Sequence, residues 1–180
     1  TAWCLSTSVG SANVAAVDVT AGVTSGITLS GKIIVDEPFT PTDTDNDGDL
    51  DGPFATGSNR YGIRTNGAMT GNILITTTAT LTDERNDSYG IFLRGPLTGN
   101  FSTHGKINVL GNNGVGVQMA DVSGNVRLAG EITAQGQGAI AVRSTGDVGG
   151  AMVLQGKIAA TGYRHTAAPS DPSKLDADDL

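Results

Sequence analysis

Leu97-Thr98-Gly99-Asn100-Phe101-Ser102-Thr103-His104-Gly105-Lys106-Ile107 is echoed by Val122-Ser123-Gly124-Asn125-Val126-Arg127-Leu128-Ala129-Gly130-Glu131-Ile132. Each stretch is a Gly-Asn corner, then a short run with alternating apolar residues, then Gly-(Lys/Glu)-Ile. The pattern opens again at Met69-Thr70-Gly71-Asn72-Ile73-Leu74-Ile75. It returns at Val148-Gly149-Gly150-Ala151-Met152-Val153-Leu154-Gln155-Gly156-Lys157-Ile158. The landmark glycines Gly71, Gly99, Gly124 and Gly150 stand 28, 25 and 26 residues apart. A repeat of this length is the mark of a solenoid, in which each copy is one coil.

Working outward, Tyr61-Gly62-Ile63, Tyr89-Gly90-Ile91, Val115-Gly116-Val117 and Ala139-Ile140-Ala141-Val142 precede the four corners. A degenerate earlier copy ends Ser25-Gly26-Ile27-Thr28-Leu29-Ser30-Gly31-Lys32-Ile33. Gly-(Lys/Glu)-Ile thus begins at Gly31, Gly105, Gly130 and Gly156, and Thr77-Thr78-Ala79 takes its place in the second copy. The sequence predicts five coils of about 25 residues, each with three short strands. Alternation within a run, as in Ile73/Ile75, Val126/Leu128 and Met152/Leu154, turns one set of side chains inward. The fold class expected is all-β, a parallel β-helix, right-handed on its coil length. One coil cannot bury its inward face alone; its stacked neighbours do so and pair its strand edges.

Composition agrees. The 26 glycines and an aromatic content of only 4% suit many short strands with small aliphatic cores better than helices. Gly and Asn tolerate the backbone angles of sharp corners. Asn72, Asn100 and Asn125 either form a hydrogen-bonded ladder up the stack or serve simply as turn residues. Tyr61 and Tyr89 stack in the same sense, as packing or as a sugar platform.

The chain has 180 residues and is read as a single domain, 1–180. Its net charge of −7 and the lack of a Lys/Arg cluster in the sequence argue against nucleic acid as a partner. No apolar run is long enough for a transmembrane helix. Thr1-Ala2-Trp3 suggests a trimmed N-terminus. Cys4, the one cysteine, makes no internal disulfide; it is an incidental small residue or an intermolecular thiol.

Residues 36–57 interrupt the repeat as an acidic insertion with Pro38, Pro41 and Pro53, which disfavour a central strand. Its centre, Asp43-Thr44-Asp45-Asn46-Asp47-Gly48-Asp49-Leu50-Asp51, resembles the calcium loops of EF-hand-like and thrombospondin type 3 repeats. Alternate carboxylates at Asp43, Asp45 and Asp47 converge on one hard cation, and Gly48 allows the turn around it. Asp49, through its carbonyl, and Asp51 complete the oxygen shell. Phe54 stands where the EF-hand pattern has its bidentate Glu, which weakens the site or calls for an acid from elsewhere. The expected cofactor is therefore Ca2+; the competing reading is a solvated acidic loop.

No catalytic motif is present. His104 and His165 are isolated, and His104 aligns with Ala129 and Gln155. Asp121 and Asp147 align in successive coils, with Ala68 and Pro96 at the earlier equivalents. Stacked carboxylates can act as a general acid/base pair in a polysaccharide-processing β-helix enzyme, or as corner acids facing water. Residues 163–180 leave the repeat as a loop with an acidic end.

The Tyr-Gly-Ile and Thr-Gly-Asn-Ile coils, the acidic loop and the ending Leu175-Asp176-Ala177-Asp178-Asp179-Leu180 resemble the passenger region of bacterial autotransporters, of the Gly/Asn-rich alphaproteobacterial kind. The resemblance implies export, a parallel β-helix and display on the bacterial outer surface, and it brings no catalytic residues. The expected function is a structural or adhesive surface module, not an enzyme. It self-associates through its ends or faces into a layer or filament, or meets a host-surface or glycan ligand. The alternative is the carbohydrate-processing enzyme.

Overall fold

The computed structural model describes residues 4–7, 12–35, 58–162 and 173. All the strands pair in parallel. β1 (Cys4–Thr7) precedes coil one, which holds β2 (Ala15–Val19), β3 (Val23–Thr24), β4 (Ile27–Leu29) and β5 (Lys32–Val35). Coil two holds β6 (Tyr61–Thr65), β7 (Met69–Thr70), β8 (Ile73–Ile75) and β9 (Thr80–Glu84). Coil three holds β10 (Tyr89–Leu93), β11 (Leu97–Thr98), β12 (Phe101–Thr103) and β13 (Lys106–Leu110). Coil four has β14 (Val115–Met119), β15 (Val126–Leu128) and β16 (Glu131–Gln135). Coil five has β17 (Ile140–Ser144), β18 (Met152–Leu154) and β19 (Lys157–Thr161).

These elements form a β-solenoid of about four turns. One face stacks six strands, β1-β5-β9-β13-β16-β19. A second stacks β2-β6-β10-β14-β17, and a third β4-β8-β12-β15-β18. The sequence led us to expect three faces per coil, and there is a fourth. It is the narrow sheet β3-β7-β11, extended by single bridges from Leu97 to Val122 and from Val122 to Val148. Two-residue strands are too short to display an alternation, so the periodicity did not reveal them.

The register explains the unequal coil lengths. From Ile75 to Leu81 coil two spends two more residues than coil three does from Thr103 to Ile107. Thr77 and Thr78 are that excess, in a turn closed by Ala79 N–H donating to Thr76 O at 3.0 Å. The partner of Gly31-Lys32-Ile33 and Gly105-Lys106-Ile107 is therefore Ala79-Thr80-Leu81, not Thr77-Thr78-Ala79. Coil four saves one residue between Met119 and Val122 relative to Leu93–Leu97. A 26-residue coil with these two corrections yields the spacings read from the sequence.

Inward columns make the core. Ile73, Phe101 and Val126 stack at 0–1% exposure, as do Ile33, Leu81, Ile107 and Ile132 at 0–2%. Phe101 is the one aromatic in the core cluster. Gly62, Gly90 and Gly116 also face inward: a Cβ on each would come within 2.6 Å of Leu81, Ile107 or Ile132 methyl carbons. Glycine lets the face carry the outward Tyr61, the glycine and the inward Ile63 in succession.

One corner is made by a single left-handed residue in every coil: Asn13, Asn59, Asp87, Asn113 and Gly138, with φ of 63, 56, 54, 58 and 69°. These are the residue types that enter this region at low cost.

Candidate functional site

The corners carry hydrogen-bonded side-chain ladders. Asn72 Oδ1 accepts the backbone N–H of Asn100 at 2.8 Å and its side-chain amide at 3.2 Å. Asn100 Oδ1 accepts the same pair from Asn125, at 2.8 and 3.4 Å. Asn125 Oδ1 then accepts the backbone N–H of Ala151 at 2.8 Å, and Ala151 has no side-chain amide to carry the column further. Of the two readings of these asparagines, the ladder is the one observed. A second ladder runs through Asn86 and Asn112. Their Oδ1 atoms accept Asn112 N–H at 2.9 Å and Gln137 N–H at 3.1 Å. The sequence hid it because its members are Asn, Asn and Gln rather than one repeated dipeptide.

Asp121 works in the same way. Its Oδ1 accepts Asp147 N–H at 2.9 Å, across the register that pairs Val122 with Val148. One carboxylate oxygen of the aligned pair is thereby held in a corner bond. His104 is half-buried, level with Ala129 and Gln155.

The tyrosines stack, with Tyr61 and Tyr89 ring centroids 5.4 Å apart and planes 9° from parallel. Phe92 joins them at 4.6 Å from Tyr89 and 5.7 Å from Tyr61. The Arg64 guanidinium lies 4.5 Å over the Tyr61 ring and pairs with Asp18, its Nε donating to Oδ1 at 3.1 Å. Hydrogen bonding from Arg64 holds the Asp18 carboxyl below its usual range, with burial opposing and the guanidinium charge assisting. The ring faces are thus spent on one another and on Arg64, whereas a sugar platform needs an open face.

Coil two buries a polar group that sequence reasoning missed: Arg60, Asp83, Arg85 and Ser88, at 0–3% exposure. Ser88 Oγ accepts Arg60 N–H at 3.3 Å. Arg85 has a φ of 149° where the next coils place Gly111 and Gly136, so the position is strained for a residue with a side chain. The signal was present in the sequence as an arginine where its neighbours have glycine.

On the outer side of the six-stranded face, Lys32, Thr80, Lys106, Glu131 and Lys157 form one column in register. Glu131 bridges two lysines, its Oε1 2.8 Å from Lys157 Nζ and its Oε2 3.4 Å from Lys106 Nζ. The bond from Lys157, more than the lysine charges, lowers the Glu131 pKa. Beside this column Thr133 Oγ1 donates to Asn108 Oδ1 at 2.7 Å. Between the two rows runs a groove of about 400 Å³ over coils three to five.

The calcium candidates Asp43, Asp45, Asp47, Asp49 and Asp51 lie outside the described residues, as does His165. Cys4 stands in β1 opposite Lys32. Among the described residues no three His, Cys, Asp or Glu side chains gather as a metal site. No described helix is long and apolar enough to cross a membrane, which leaves β-barrel spans unaddressed. No protein-family model matches the chain, and no curated protein or solved structure matches it.

Proposed function

We propose that this chain is an exported structural or adhesive module of a bacterial outer surface, built like an autotransporter passenger. The observation that supports it most is the continuous parallel stack with side-chain ladders at its corners. Such a stack holds an outward face in fixed register along an axis, as a display scaffold requires. The acidic run Asp43–Asp51 takes calcium, which neutralises five crowded carboxylates and orders the insertion. Calcium also favours association of copies into a layer or filament.

Electron microscopy of the purified protein, with calcium and then with chelator, tests this reading. Filaments or lattices that dissolve on chelation are the expected result. Isolated short particles in both conditions would overturn the assembly part. Proteolysis of residues 36–57 that ignores chelator would overturn the calcium part.

A further inference from the structure

The sequence holds two Asn-Gly dipeptides, Asn66-Gly67 and Asn113-Gly114. Such a pair is open to deamidation, because glycine presents the next peptide nitrogen with no side chain to shield it. The two side-chain amides are held alike: Asn66 Nδ2 donates to Asp18 Oδ1 at 3.0 Å, and Asn113 Nδ2 to Asp87 Oδ1 at 3.1 Å. The nucleophiles differ. Gly114 is buried, and its N–H donates to Gly111 O at 3.1 Å. Asn113 before it is fixed in a left-handed conformation, with its own N–H donating to Gln137 O at 2.7 Å. Gly67 lies in the corner between β6 and β7 and is partly exposed. Its N–H has no acceptor among the described residues.

We propose that Asn66 is a deamidation site and that the fold protects Asn113. The Gly67 nitrogen gives up its proton to solvent base and attacks Asn66 Cγ. The new N–Cγ bond forms, the Cγ–Nδ2 bond breaks, and Nδ2 leaves as ammonia with a proton from solvent. Water then opens the succinimide at one of its two carbonyls, leaving aspartate or isoaspartate at position 66. Either product disturbs coil one. Asp18 Oδ1 loses a donor and gains a carboxylate neighbour of like charge. Isoaspartate also lengthens the backbone by one methylene where there is no room for it. A Cβ on Gly67 would already stand 2.5 Å from the Ala21 carbonyl carbon of coil one. Conversion of Asn66 therefore loosens coil one from coil two, slowly and in one direction. The site depends on neither calcium nor assembly.

The test is to incubate the full chain in mildly alkaline buffer and follow both dipeptides by peptide mapping, with Asn, Asp and isoaspartate forms separated before mass spectrometry. Asn66 should convert about tenfold faster than Asn113, the factor supplied by a hydrogen bond that must break before Gly114 can attack. In urea, where that bond is gone, the two rates should converge. Asn66→Asp, which mimics one product, should lower the melting temperature. Asn113 converting as fast as Asn66 in the folded chain would overturn the assignment. So would a folded chain that keeps Asn66 intact while the unfolded chain converts it, or a rate gap that persists in urea. An Asn66→Asp variant that melts with the parent would overturn the effect on coil one.

Discussion

Val126 and Leu128 of coil four are fully buried, whereas Met152 and Leu154, their register partners in coil five, are 43% and 60% exposed. The residues are of one kind, on strands of one length, facing the same way. Only the neighbours differ: Phe101 and Thr103 pair on the far side of coil four's strand, and among the described residues no strand lies beyond β18 in its sheet. Burial here is a property of the stack, not of the side chain, and energetic worth should follow position.

The largest test of that contrast is a matched pair of truncations. Leu128→Ala should cost about 2–5 kcal/mol as a closed cavity forms. Leu154→Ala should cost about 1 kcal/mol or less, because little area leaves water. Urea unfolding of the two variants measures the difference, and equal losses would break the comparison.

Polar positions sharpen it. Asn100→Ala removes an acceptor for two donors of Asn125 and should cost about 1 kcal/mol in the same assay. Ala151→Asn, at the end of that ladder, should stay within about 0.5 kcal/mol of the parent. Thr103 is fully buried among aliphatics and its hydroxyl has no hydrogen-bond partner. Thr103→Val should therefore raise stability by about 1 kcal/mol.

The smallest effect concerns coil one, where Asp18 pairs with Arg64. Its folded pKa is lowered, so the pair stabilises fully above the ordinary carboxylate range. The gain is lost as pH falls through the lowered value. The pair is partly exposed to water, so its worth is under about 1 kcal/mol. Asp18→Asn should lose that increment at pH 7 and flatten the acid-side decline of stability. An unchanged pH profile would show that the pair contributes nothing.

Much of this architecture was legible in the chain. Gly-Asn-(Ile/Phe/Val) marks a corner and the alternation behind it marks an inward face, because each obeys a local rule. What the sequence concealed obeys no such rule. The narrow fourth face rests on pairs such as Met69-Thr70 and Leu97-Thr98, too brief to show a period. The left-handed column is Asn, Asn, Asp, Asn, Gly, alike in conformation but not in identity. The threonines Thr77 and Thr78 shifted the apparent alignment by two residues. The lysine column was visible as Gly-Lys-Ile, but its meaning lies in register, which a single coil does not contain. The groove exists only where coils three, four and five lie side by side.

The two extra threonines between β8 and β9 also say where this molecule tolerates change. A turn there has lengthened without moving a single pairing on either side. The same holds on a larger scale between Val35 and Ser58, where β5 still pairs with β9 and β2 with β6. Each doubling of loop length costs only about 0.6 kcal/mol of closure entropy. The corners are thus grafting ports: foreign peptides spliced at Thr77 should ride on the scaffold at a fixed height, leaving the stack beneath them undisturbed.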